Sequence, residues 1–205
     1  PDKDAVETRS SWDQEVSRLK QLANLTDEEY KRTWQHYMGL CAQVDYEVGR
    51  VIEALKDLGL RENTIIIYSS DHGAGLGEFG LVTKGTFDDP SWRIPFIWSW
   101  PGHIPEGKKS DELAELTSMN KTIMKLCGLE EMIPASWRGR DLFNDPAPEA
   151  VFGQIGYPNT KSEIGRKGDK RGHFARLRVG MRTEIYRMDY TYMKDGEKLP
   201  AEDGN

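Results

Sequence analysis

Cysteine is scarce in this sequence, with only Cys41 and Cys127 among 205 residues. The two lie far apart, in neither a metal-binding nor a redox spacing, which excludes a cysteine-based zinc site and a CxxC thiol switch. Each sits in an apolar, helix-like context, so both are predicted to be buried free thiols. Long apolar runs are also lacking: Ile65-Ile66-Ile67-Tyr68 is among the longest, against the roughly 18 residues of a membrane span. No membrane partner is expected. Positive charge is short as well, since 28 Lys and Arg face 34 Asp and Glu for a net charge of -6. That is the wrong sign for holding nucleic acid by phosphate neutralisation. The start at Pro1-Asp2-Lys3-Asp4 lacks the apolar stretch of a signal peptide. The missing initiating Met, and an end at Asn205 close behind a strand-like segment, suggest that both ends are cuts in a longer chain.

What is present is an ordinary globular composition, 37% hydrophobic and 30% charged, long enough for one large domain or two small ones. Residues 1–26 are polar, with a weakly helical stretch from Trp12 to Leu25. Thr26-Asp27-Glu28-Glu29 then reads as a capping box. Behind it Tyr37, Leu40, Cys41, Val44, Val48, Val51, Ile52, Leu55 and Leu58 form one stripe, which predicts an amphipathic helix of about 30 residues. Gly59 stands where that helix should stop. Thr64 to Ser70 reads as a buried strand, and helix, turn and strand together point to an α/β unit with a largely parallel sheet. Further strands are expected at Ile94 to Trp100, Leu113 to Thr117 and Ala150 to Ile155, with a short helix over Ser118 to Leu126. Leu177 to Met181 and Ile185 to Met193, separated by Arg182-Thr183-Glu184, look like a hairpin.

The chemistry concentrates in Ser70-Asp71-His72-Gly73, directly behind the first strand. The carboxyl edge of strands is where open α/β sheets bind ligands, and a carboxylate beside an imidazole is a ready pair of metal ligands. Gly73 lets the backbone turn, so that both side chains can face one point. Twelve residues past His72 comes Lys84, in a Gly-rich loop. A lysine there can hold an anionic group as a point charge. By ligand type alone, an Asp-His pair suits Zn²⁺ better than Ca²⁺.

Asp45-Tyr46-Glu47-Val48-Gly49-Arg50-Val51, Glu62 to Gly73, Leu76-Gly77-Glu78-Phe79-Gly80-Leu81, Lys84-Gly85-Thr86-Phe87, Trp92-Arg93-Ile94-Pro95 and Trp100-Pro101-Gly102 follow in order. This series resembles the C-terminal half of the type I sulfatases, of the alkaline-phosphatase-like superfamily. The match runs from about Tyr30 to Gly102 and continues more loosely through Gly139-Arg140-Asp141-Leu142 and Met181 to Tyr186. The resemblance implies an α/β fold: part of a sulfatase-like, mostly parallel sheet with flanking helices over residues 27–145, then a partial antiparallel-sheet subdomain over 146–205. It implies a metal-dependent hydrolase of sulfuric esters. Asp71 and His72 would be metal ligands, Lys84 a catalytic residue that binds the sulfate ester, and the cation Ca²⁺ in preference to Zn²⁺ or Mn²⁺. The implied partners are a sulfated small molecule or glycan and the N-terminal half of the same enzyme, and the implied location is periplasmic, lysosomal or secreted.

The sequence departs from the family where the nucleophile should be, because no Cys/Ser-x-Pro-x-Arg motif, the source of formylglycine, occurs in it. The paired aspartates that complete the family's metal site are missing too, so the isolated chain is expected to be inactive. Phe79 and Ala74 stand where relatives are commonly polar. Two alternatives keep the same residues: a phosphodiesterase or phosphonate hydrolase of the superfamily, or a non-catalytic glycan-binding module. Lys161, Arg166, Lys167, Lys170, Arg171, Arg176 and Arg178 gather positive charge that could meet a sulfated glycan, or simply form a solvated loop. His36, His103 and His173 belong to no constellation. Asn24-Leu25-Thr26 and Asn120-Lys121-Thr122 are glycosylation sequons.

Overall fold

The computed structural model describes residues 25–78, 84–155 and 177–192. The expected helical stretch from Trp12 to Leu25 therefore lies almost wholly outside the described residues. By contact the chain separates between Lys109 and Ser110 into two compact units, so Ser110 to Asp145 falls with the C-terminal strands.

The first unit opens with α1, Asp27–Asp57, whose N-terminus carries the anticipated capping box. The Glu29 N–H donates to Thr26 Oγ1 at 3.3 Å, and Glu29 Oε2 accepts from the Thr26 N–H at 2.7 Å. At the other end the Gly59 N–H reaches the Lys56 carbonyl at 2.9 Å and the Leu60 N–H the Leu55 carbonyl at 2.8 Å, closing a Schellman motif. Ion pairs Glu47–Arg50 and Glu53–Lys56, each 2.8 Å, lie on its exposed surface and contribute a few tenths of a kcal/mol apiece.

The strands β1, Ile66–Ser69, and β2, Phe96–Ser99, follow. They pair antiparallel, with Ile67 opposite Trp98 and Ser69 opposite Phe96. The expected parallel pairing is thus not seen among the described strands. A parallel return needs a crossover, usually helical, and the described part of the β1–β2 connection contains only α2, the single turn Asp89–Trp92. Arg61, in the turn before β1, holds the pair by donating to the Thr64 carbonyl at 3.2 Å and to Ser99 Oγ.

Among the described residues, α1 buries only Tyr30. Leu40, Val44, Val51 and Leu58 are exposed, and an apolar groove of about 450 Å³ lies between α1 and β1, lined among others by Val48, Ile52 and Ile66. Cys41 and Cys127 are both exposed, contrary to their expected burial. The stripe is real, but no described element covers the face to which Cys41 belongs. No helix among the described residues is long and apolar enough to cross a membrane.

The second unit is organised by polar groups. Leu113 to Leu116 form no strand, and α3 runs over Thr117–Leu126. Its Ser118 and Thr122 are buried against the Gly139-Arg140-Asp141-Leu142 segment. Arg140 N–H donates to Ser118 Oγ at 3.1 Å and Leu142 N–H to Thr122 Oγ1 at 3.0 Å. Asp141, 1% exposed, accepts from the Phe143 N–H and from Asn144 Nδ2 at 3.0 and 2.8 Å. The Arg140 guanidinium reaches the Asp145 carbonyl at 2.6 Å and Glu112 at 2.9 Å.

Three strands complete this unit in the order β3 (Val151–Ile155), β4 (Leu177–Arg182) and β5 (Arg187–Tyr192), all antiparallel. The β4–β5 hairpin is present, but its turn spans Thr183 to Tyr186 rather than Arg182 to Glu184. Thr183 N–H donates to the Tyr186 carbonyl and Tyr186 N–H to Thr183 Oγ1, both at 2.8 Å. Arg178, expected among solvated basic residues, is instead buried and ion-paired with Asp189. Its place in β4 turns it inward. Lys161, Arg166, Lys167, Lys170, Arg171, His173 and Arg176 lie outside the described residues.

Two outcomes follow for the second unit. Gly139 has φ +83°, and a Cβ there would lie 2.6 Å from Ser118 and Thr117 backbone atoms. Gly139→Ala should cost about 2–3 kcal/mol, read as a lower denaturation midpoint. The Asp145 carboxyl is held below its ordinary value of 3.8, chiefly by the Asp141 N–H, with desolvation opposing and Lys125 reinforcing. Its contribution is present above 3.8 and is lost as pH falls through the depressed folded-state value. Between 3.8 and that lower value, thermal stability should fall more steeply with decreasing pH in the wild type than in Asp145→Asn.

Candidate functional site

The carboxyl end of β1 delivers Ser70, Asp71 and His72 in succession. Ser70 Oγ donates to the His72 carbonyl at 2.7 Å, and the His72 N–H donates to Asp71 Oδ1 at 2.9 Å. That N–H is the main reason the Asp71 carboxyl lies below its ordinary range, against a smaller opposing effect of desolvation. The second carboxylate oxygen, Oδ2, stands 3.3 Å from His72 Nε2 on a side chain that is 83% exposed. The same ring nitrogen lies 2.6 Å from Lys84 Nζ, and the other, Nδ1, lies 2.8 Å from the Gly73 carbonyl oxygen. The three residues singled out in the sequence therefore meet at one point.

They meet because two loop segments are clamped together. The Gly73 N–H donates to the Ser91 carbonyl at 2.9 Å, and a Cβ at position 73 would lie 2.1 Å from the Pro90 carbonyl oxygen. Gly73 is thus required for a close approach, where the sequence had suggested a sharp turn. The opposing wall is α2, which opens with Pro in its first turn, a position where the missing N–H costs nothing. Behind it the buried Phe87 packs on Trp92 with ring centroids 5.1 Å apart, and Thr86, Asp88 and Ser91 are also buried. Lys84 sits two residues ahead of this firm segment. On the near side, Trp34 Nε1 of α1 donates to the Leu76 carbonyl at 2.9 Å, and the Leu76 N–H donates to Glu78 at 2.6 Å. Phe79 lies outside the described residues, while Ala74 is half-buried.

Pro90, Ser91 and Trp34 had drawn no functional attention in the sequence. The Asp-Pro-Ser-Trp start at Asp89 was a legible helix-start signal, whereas the Trp34 bond spans 42 residues and leaves no local trace. His36 is exposed, and His103 stacks on Trp100 at 3.8 Å between ring centroids, so neither joins the site. Among the described residues no group of three or more His, Cys, Asp or Glu side chains is placed to hold a metal ion.

The end of β1 thus presents a carboxylate, an imidazole and an ammonium together, a set suited to an anionic ligand. Residues 2–129 match the sulfatase family model, and the chain belongs to the sulfatase family. An endo-4-O-sulfatase of Bacteroides thetaiotaomicron is 32% identical over 164 residues, covering 74% of this chain and 31% of that protein. A solved 2-O GAG sulfatase superposes with a TM-score of 0.74 over 97% of this chain and 43% of its own, at 22% identity. A further solved structure, of a protein in complex with its substrate D-glucosamine-2-N,6-O-disulfate, has a TM-score of 0.60 at 25% identity, covering 75% of this chain and 30% of its own. The chain spans between about a fifth and a third of the length of the curated relatives it matches.

The Trp34 anchor can be removed without removing its ring. Trp34→Phe should lower stability by about 0.5–1.5 kcal/mol, the net value of one such bond, measured by chemical denaturation.

Proposed function

We propose that the protein of which this chain is part hydrolyses sulfuric esters of sulfated saccharides, with Asp71, His72 and Lys84 forming one side of its active site. The convergence of a carboxylate oxygen and an ammonium on His72 Nε2, within 3.3 and 2.6 Å, carries the reading. The endo-4-O-sulfatase and the disulfated-glucosamine complex support the choice of substrate class.

The donor set fits half of a divalent-cation site. Asp71 offers an exposed carboxylate oxygen and His72 a ring nitrogen on the same side, and these two would hold the ion. The proposed ion is Ca²⁺, with Zn²⁺ and Mn²⁺ as the ions the imidazole also suits. When bound, such an ion neutralises and polarises the oxygens of the ester. Lys84 supplies a compact positive charge for another of those oxygens, and the clamp at Gly73 keeps it near His72 before substrate arrives. The N–H bond that lowers the Asp71 carboxyl keeps it anionic across the neutral range. The remaining donors and the nucleophile, formylglycine from a Cys/Ser-x-Pro-x-Arg motif, are not encoded in these residues and would come from the rest of the enzyme.

In the intact enzyme, chelation should abolish hydrolysis of para-nitrophenyl sulfate, and added Ca²⁺ should restore it. Lys84→Ala should lower kcat/KM by about 10²–10³-fold, as loss of one oxyanion donor does; unchanged turnover would remove Lys84 from the site. Faster cleavage of aryl phosphonate monoesters or phosphate diesters than of the sulfate would replace the sulfatase reading with the phosphonate-hydrolase one.

A further inference from the structure

The neighbours of His72 define which ring nitrogen carries its proton. A carbonyl oxygen only accepts hydrogen bonds, so the nitrogen 2.8 Å from the Gly73 carbonyl, Nδ1, must bear hydrogen. A lysine ammonium only donates, so the nitrogen 2.6 Å from Lys84 Nζ, Nε2, must present a lone pair. Asp71 Oδ2, which only accepts, opposes this from 3.3 Å, but the two shorter contacts, at 2.6 and 2.8 Å, select the same neutral tautomer.

The Gly73 peptide groups tie that selection to the fold. Its carbonyl receives the Nδ1 proton, its N–H is fixed on the Ser91 carbonyl at 2.9 Å, and its missing side chain leaves room for the Pro90 carbonyl, which would lie 2.1 Å from a Cβ. Any side chain at position 73 must push the backbone away from α2 and carry its carbonyl off the imidazole. Pro90 and the packing of the buried Phe87 on the half-buried Trp92 leave α2 little freedom to retreat.

We infer that Gly73 is a positioning residue: clamped on α2, it fixes the His72 ring as the Nδ1–H tautomer, with the Nε2 lone pair turned toward Asp71 and Lys84. Partners that hold the far nitrogen of a metal-ligating imidazole orient the ring and set its tautomer in general. The value of this arrangement for cation binding rests on the function proposed above; the tautomer does not.

Nuclear magnetic resonance of the intact, metal-free protein carrying ¹⁵N-histidine tests it, at a pH well above the ordinary imidazole value of about 6.5. The His72 signal is picked out from those of the other histidines with a His72→Asn variant. The wild type should show His72 protonated at Nδ1. Gly73→Ala should lose that preference and bind Mn²⁺ about 10–100-fold more weakly. An Nε2–H tautomer in the wild type overturns the inference, and so does a Gly73→Ala protein that keeps both the Nδ1–H signal and wild-type Mn²⁺ affinity. If Gly73→Ala fails to fold, the wild-type spectrum decides. An Nδ1–H ring in a wild type that binds no divalent cation upholds the positioning and defeats the cation reading instead.

Discussion

A single backbone contact organises the candidate site. The N–H of Gly73 meets the carbonyl of Ser91 at 2.9 Å, and through that bond the end of β1 is held against α2. Residues distant in sequence become neighbours because of it: the loop bearing Lys84 leaves β1 and must return to α2, so clamping the two ends also confines the lysine. Such an approach is possible only where there is no Cβ. Around it Phe87 and Trp92 supply an apolar contact, and Trp34 anchors Leu76 from α1.

The two units are held by different means. In the first, local devices carry much of the order: a capping box, a Schellman motif and i,i+3 ion pairs define α1 within its own length. Its apolar face and the groove beside β1 stay open among the described residues, and a two-stranded sheet alone is marginal. In the second, buried polar groups do what apolar side chains usually do. Ser118, Thr122 and Asp141 are each satisfied by backbone N–H groups or amides, which fixes the loop after α3 more directionally than hydrophobic contact would.

Much of this was legible in the sequence, for reasons that can be named. The ends of α1 are local signals, Thr26 with Glu29 and Gly59, and they fell where the residues said. That Asp71, His72 and Lys84 come together was expected from the resemblance of the ordered motifs to sulfatases, since an Asp-His pair behind a strand and a lysine in a Gly-rich loop are weak signals by themselves. Burial was less legible: a stripe on a helix says which face is apolar but not whether anything covers it, and Cys41 was misjudged for that reason. Arg178 was read as one of a solvated cluster, because nothing local reveals that the inward side of β4 would place it beside Asp189. Strand direction failed for a related reason, since pairing depends on how a long connection returns rather than on the strands themselves. The Gly73–Pro90 approach and the Trp34 bond are long-range and left no pattern to read.

An imidazole has two nitrogens, and both of those in His72 are engaged. Nδ1 faces the Gly73 carbonyl, and Nε2 faces Asp71 and Lys84. With a polar neighbour at each nitrogen, a half-turn of the ring would put carbon atoms where the Gly73 carbonyl and Lys84 now meet nitrogen, so the imidazole is held in one of its two orientations.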